Sequence, residues 1–185
     1  MRADTAEAEK LIARIAEVFR EHGYEGASLT RIGQATGLGK GSLYNFFPGG
    51  KEEMAAVVLA HIAAWFEENV FAPLRDEGQP AAGIGRMLDA TDLYFQSGGR
   101  VCLVGAFALD DSRNRFVAEI KAYFGSWVAH LSAALQRGGH DKPEADQLAE
   151  DTVAAIQGAL TLSRAFDDTA VFARALARAR LRLAA

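Results

Sequence analysis

Apolar residues along this chain recur at three- and four-residue spacing and never alternate over a strand-length window, which is the period of helices. Leu11, Ile12, Ile15, Ala16 and Phe19 form the first such stripe and predict a helix from about Thr5 to His22, stopped at Gly23. Ser28 stands where it can cap a short second helix, "LTRIGQAT", and Gly37 ends it. "GKGSLYNFF" is a third, closed by Pro48 and two glycines. A long amphipathic helix begins near Lys51 and runs to Pro73 or slightly beyond, and the loop "DEGQPAAG" separates it from a helix of about Ile84 to Gln96. The glycine-rich "SGGRVCLVGAFAL" holds a short helix or turn. Phe116, Ile120, Tyr123, Phe124, Trp127, Leu131 and Leu135 then step down one face of a helix from about Ser112 to Arg137, which "RGGHDKP" breaks. Two more, about Glu144 to Phe166 and Thr169 to Leu183, complete an all-α chain of about nine helices.

Composition narrows the class. Of 185 residues, 50% are hydrophobic and 24% charged, with only 4 prolines, which describes a globular protein rather than a disordered one. The opening "MRADTAEAEKLIARIAEVF" places acids where a signal peptide needs an apolar run. No window approaches the roughly 18 uninterrupted apolar residues of a membrane span. A cytoplasmic protein without a membrane partner is expected. Cys102 is the only cysteine, so neither an internal disulfide nor a cysteine-based metal site can form within one chain. No His-acid cluster at metal spacing accompanies His61 or His130, and no cofactor is expected. There is no Ser-His-acid or Cys-His set in recognisable context, and "GKGS" lacks the upstream glycine of a phosphate loop, which argues against an enzyme.

The net charge of −4 argues against a nucleic-acid partner until its distribution is examined. From Gly26 to Lys51 the chain carries Arg31, Lys40 and Lys51 and no acid, whereas residues 52–185 hold 13 basic and 18 acidic side chains. An acid-free basic island sits on an acidic body.

Within that island the short helices around Gly37 have the pattern of a helix-turn-helix. Ile32 and Leu43 can point into the angle between them, Gly33 is small where they cross, Gly37 tolerates the turn and Leu38 plugs its inner side. Gly39 leaves the third helix with a bare amide terminus, suited to phosphate. Lys40 and Ser42 lie in the first turn, the part of a recognition helix that meets base edges. Tyr44 and Asn45 follow on a neighbouring face suited to phosphate, and Lys51 can place its ammonium against another.

The segment "SLTRIGQATGLGKGSLYNFFPGGKEEM" resembles the DNA-binding head of the tetracycline-repressor family of one-component bacterial regulators. The hallmark is a short recognition helix ending in a Leu-Tyr-x-x-Phe run, here Leu43 to Phe47, followed by a Lys-Glu pair, here Lys51 and Glu52. The resemblance covers roughly residues 8–60. It implies that Ser28, Thr30, Tyr44 and Lys51 contact phosphates while Lys40, Gly41 and Ser42 approach bases. Gly39 stands where Ser or Thr often caps the helix, Phe46 stands where many members have His, and "PGG" is one residue longer than the usual loop.

The resemblance divides the chain into a helix-turn-helix head, residues 1–50, and a helical ligand-binding and dimerisation domain, residues 51–185. It implies a homodimer on a palindromic double-stranded operator, acting as a repressor and released by a small apolar or aromatic effector. The alternative is a dimeric DNA-binding regulator whose body makes protein contacts instead of binding a small molecule. For the dimer the apolar surface of the last two helices offers Val153, Ile156, Gln157, Leu160, Val171, Phe172 and Leu176, and Gly158 and Ala159 permit close approach. For the effector the candidates are Trp65, Phe66, Tyr94, Phe95, Phe107, Tyr123 and Trp127, residues that also suit plain core packing. Cys102 joins them because "RVCLVGAFAL" resembles a branch of the family with a Cys-Leu segment at this place, and Arg100 could favour its thiolate. Cys102 suits a small buried hydrophobe equally well. The fourth helix, as the element touching both regions, is expected to carry the signal between them.

Overall fold

The structure, a computed structural model, describes residues 2–184, with side chains from Glu7 onward. Among the described residues there are no strands, and nine helices follow one another. They are α1 (Arg2–Gly26), α2 (Leu29–Thr36), α3 (Lys40–Phe46), α4 (Gly50–Leu74), α5 (Pro80–Tyr94), α6 (Leu103–Leu109), α7 (Val117–Arg137), α8 (Lys142–Phe166) and α9 (Ala170–Leu183). Short 3-10 turns, Gln96–Gly98 and Asp111–Asn114, lead into α6 and α7.

The chain passes between two compact units three times. The first unit ends at Ala63 within α4 and takes in Leu103–Ile120, whereas the second comprises Ala64–Cys102 and the chain from Lys121 onward. This differs from a division at residue 50, because α6 and the start of α7 return to the first unit. It also means that α4 is not alone in joining the two: the chain crosses again between Cys102 and Leu103 and within α7.

In the first unit, Ile15, Phe19, Ile32, Leu43, Phe47, Met54, Val58 and Ile62 are buried. α1 breaks at Gly23, where φ is 66° and ψ 178°, and a last turn reaches Gly26. The break leaves Tyr24 stacked 6.0 Å from Phe19. Phe107 of α6 meets the edges of both at 5.8 Å, and Phe116 stacks on Phe107 at 5.6 Å. These four rings form one cluster, held at aromatic pair distances.

The second unit is built on α5, α8, α9 and the remainders of α4 and α7. Inside α4 a π turn, Glu67–Phe71, precedes Pro73, and the Asn69 amide donates to the Trp65 carbonyl at 2.9 Å. The extra residue resets the helix so that Phe66, Val70, Phe71 and Leu74 are all buried. α4 is the one described helix long and apolar enough to cross a membrane, and its Met54, Ala55, Val58, Leu59 and Ile62 are packed in protein core instead. After α4 the Asp76 carboxylate accepts from the Gly78 and Gln79 amides and from Arg86. The Arg86 bond first, then the Gln79 amide, holds that carboxyl below its usual range. α5 therefore begins at Pro80, ahead of the Ile84 start expected from periodicity, because proline is well placed in a helix's first turn. α8 is capped by Asp141, whose Oδ1 accepts from the Glu144 amide at 2.9 Å.

Candidate nucleic-acid interface and effector region

The helix-turn-helix forms as the sequence predicts. Ser28 caps α2, its Oγ accepting from the Arg31 amide, and Gly37 ends the helix at φ 76° with its N–H bonded to Gly33 O. Ile32 and Leu43 are fully buried in the angle. A Cβ on Gly33 would stand 2.9 Å from the Leu38 carbonyl oxygen, so no larger residue fits where the turn crosses α2.

With that scaffold fixed, one surface collects the polar positions. Ser28, Thr30, Arg31, Gly39, Lys40, Gly41, Ser42, Tyr44 and Asn45 are all exposed. Gly39 is the N-cap of α3 with no side-chain cap bond, and neither Gly39 nor Gly41 has a neighbour within reach of an added Cβ. That flat, acid-free strip lets a phosphodiester backbone or a groove edge approach the main chain. Arg31 is partly committed, donating to the Gly26 carbonyl at 2.8 Å. Phe46 is 61% exposed beyond the end of this strip.

Lys51 behaves differently from the others. Its Nζ donates to the Tyr24 carbonyl at 2.9 Å, lies 3.4 Å from Glu25 Oε2, and sits 4.4 Å from the centroid of the Tyr24 ring. The ammonium therefore ties the start of α4 to the end of α1. Arg115 caps the same ring at 5.7 Å and bonds Glu52 at 3.0 Å. Burial, first of all, raises the Tyr24 phenol above its ordinary 10.0, against the opposing pull of Arg115. Sequence reasoning missed Tyr24 and Arg115 because the fold brings them to Lys51 from 27 and 64 residues away.

In the second unit the expected aromatic effector residues come together, with one exception. The Phe66 ring lies 4.8 Å from Tyr94, 4.7 Å from Tyr123, 5.3 Å from Trp127 and 6.2 Å from Phe95, and Trp65 lies 4.8 Å from Tyr94. Phe107 belongs to the Phe19–Tyr24 cluster of the first unit instead, because α6 returns there. Cys102 is 5% exposed, and reactive thiols need partial access to solvent. Arg100, expected beside it, donates to the Tyr94 carbonyl at 3.4 Å and packs 5.1 Å from that ring. His61 is exposed. His130 stacks on Phe71 at 5.3 Å, with Arg75 donating to Nε2 and Nδ1 bonded to the Ser126 carbonyl, which assigns the proton to Nδ1.

Most of the residues expected at a dimer interface are internal to the chain. Val153, Ile156, Leu160, Phe172 and Leu176 are buried within the chain, while Gln157 and Val171 are half-buried. The largest apolar side chains of α8 and α9 serve the protein's own core. What those helices leave to solvent is a row of smaller residues, Ala154, Ala155, Gly158 and Ala165, flanked by Leu162 at 45% and Phe166 at 66% exposure.

Comparison with known proteins now bears on this geometry. Residues 11–58 match the bacterial regulatory proteins of the tetR family, and residues 80–178, more than half the chain, match the C-terminal domain of LmrA/YxaF-like transcriptional regulators. The chain belongs to the TetR family. It is a DNA-binding helix-turn-helix transcriptional regulator, not an enzyme. The HTH-type regulator YxaF of Bacillus subtilis (strain 168) is 28% identical over 161 residues, covering 84% of this chain and 83% of the relative. A TetR transcriptional regulator from Chloroflexus aurantiacus J-10-FL superposes with TM-score 0.78 at 24% identity, over 100% of this chain and 97% of that one. A cysteine mutant of the TetR-family regulator CifR, solved with 26 bp double-strand operator DNA, superposes with TM-score 0.71 at 25% identity, over 90% and 94%.

Proposed function

We propose that this TetR-family protein is a ligand-responsive repressor. It binds a palindromic operator as a homodimer, denies that DNA to transcription, and lets go when a small apolar or aromatic effector enters the body. The observation that carries the reading is the exposed, acid-free strip from Ser28 to Asn45, held rigid by buried Ile32 and Leu43. Lys40, Gly41 and Ser42 approach bases; Ser28, Thr30, Arg31, Gly39, Tyr44 and Asn45 serve the backbone. Lys51 acts at one remove, by fixing α4 against α1. A phosphate could recruit its ammonium only in competition with the Tyr24 carbonyl.

The second copy is called for by the outer faces of α8 and α9. Ala154, Gly158, Leu162 and Phe166 follow at four-residue spacing on one, and Ala170, Ala173, Ala177 and Leu181 line a face of the other. Small residues permit close helix approach, and an apolar stripe of that length gains free energy when a partner covers it. Two copies also double the few cations that each head offers to a two-fold DNA site. The effector's place is the Trp65–Trp127 aromatic cluster, with Cys102 as a wall residue. Effector and operator compete through the shared chain, so DNA must lower effector affinity by the same factor that effector lowers DNA affinity. Such a protein works in the cytoplasm, where its operator is.

Mobility shift with the DNA flanking the protein's own gene tests the reading. A retarded band specific to one palindrome, lost on adding an effector, is expected. A specific band that no small molecule reverses would leave a regulator without ligand control, and absence of any specific band would end the proposal.

A further inference from the structure

Trp127 is fully buried on α7, and its Nε1–H meets no hydrogen-bond acceptor. That is an expensive choice of residue. Indole is a donor only, so it cannot exchange roles to satisfy itself, and a buried donor left unmade carries its full desolvation penalty. Phenylalanine would keep the ring contacts at Phe66, 5.3 Å away, and Tyr123, 6.0 Å away, without that penalty. Thr91 Oγ1, also fully buried in this unit, does find an acceptor, donating to the Met87 carbonyl at 2.8 Å.

The rings around it make a path. Trp65, half-buried, pairs with Tyr94 at 4.8 Å, Tyr94 with Phe66 at 4.8 Å, and Phe66 with Trp127. A planar aromatic body can take offset-stacked or edge-on places among such rings. Arg100 packs on Tyr94 rather than on Trp127. A neutral acceptor therefore suits the indole, since an anion buried there would lack a cation.

We propose that the effector is a flat aromatic molecule bearing a neutral hydrogen-bond acceptor, of carbonyl type, which receives the Trp127 indole N–H inside the cluster. This rests on the cluster being the effector site. Binding then gains twice: ring burial, and a partner for a donor that the empty protein leaves unsatisfied.

The test uses two compounds of one shape, acetylnaphthalene and isopropenylnaphthalene, which differ by C=O against C=CH2. Calorimetric titration of the full-length protein should show the ketone binding about tenfold tighter, the worth of one buried hydrogen bond. Trp127→Phe should reduce that ratio to about one while retaining the weaker, ring-driven binding. In NMR of the intact protein, the Trp127 indole N–H, assigned with the help of Trp65→Phe, should move downfield with the ketone and stay put with the alkene. Should Trp127→Phe fail to fold, the affinity ratio and the indole shift of the unaltered protein still decide. Equal binding of both compounds with an unmoved indole overturns the inference and leaves the cluster as an effector site. Binding of neither overturns both.

Discussion

Replacing Lys51 with methionine separates two ways in which a lysine at the mouth of α4 can serve DNA binding. Methionine keeps the stem against the Tyr24 ring and removes the charge. The structure assigns the ammonium one charge-assisted bond to the Tyr24 carbonyl at 2.9 Å and a place 4.4 Å from the ring centroid. Such a bond is worth about 1.5–3 kcal/mol and the ring contact about 0.5–1 kcal/mol. The Lys51 side chain is 25% exposed, so solvent screening trims the total to about 1–2 kcal/mol. In a chain of this size that lowers Tm by roughly 3–8 °C. Operator affinity should fall modestly, because the head is less well held. Its dependence on salt should not change, because no phosphate loses its cation. Fluorescence anisotropy on labelled operator over a range of salt concentrations, beside a thermal melt, measures both. Had Lys51 been a phosphate ligand, the slope of log K against log salt would flatten by about 2 for a dimer, near 0.9 per contact. A slope flattened by that amount with Tm unmoved refutes the reasoning. Lys40→Met is the natural companion: Lys40 is exposed at the start of α3, so this change should leave Tm alone and narrow the gap between operator and unrelated DNA by about 1–3 kcal/mol.

Gly98→Ala should lower Tm by about 10 °C, since φ there is +97° and the new Cβ would stand 2.6 Å from Phe172 Cβ; an unchanged melt would mean that the loop and α9 are not this close. Leu162→Glu combined with Phe166→Glu should turn the proposed dimer into monomer in sedimentation while leaving helix content intact, and persistent dimer would place the interface away from α8. Because the Tyr24 pKa is raised in the fold, its contribution to stability is complete below the unfolded value of 10.0 and is lost as pH rises through the folded one. Melts above pH 10 should therefore fall less steeply for Tyr24→Phe than for the unaltered protein, and identical slopes would remove Tyr24 as the cause.

The head was legible because its determinants are local. Ser28, Gly33, Gly37 and Leu43 each act within a few residues of their own position, and spacing alone identifies them. Periodicity also located eight of the nine described helices, with errors at the ends where proline or a 3-10 turn decided, and left α6 open as a short helix or turn. It could not say which partner a stripe would meet. Val153, Ile156 and Leu160 make as good an outward stripe as an inward one on α8, and only tertiary packing shows that the inner core takes them and leaves Gly158, Leu162 and Phe166 outside. Phe107 was misplaced for a related reason: nothing near it in sequence records that α6 turns back to Phe19. The internal engagement of Lys51 was hidden because its partners lie across the Gly23 break.

The return of residues 103–120 to the first unit has a consequence for protein engineering. Bacterial regulators invite exchange of modules, one head grafted on another body. A graft cut near residue 50 would strip Phe19 and Tyr24 of Phe107 and Phe116, and would take Arg115 and Lys51 from the Tyr24 ring. The transplantable piece is discontinuous: Leu103–Ile120 has to travel with the head, or the recipient must supply rings of matching shape.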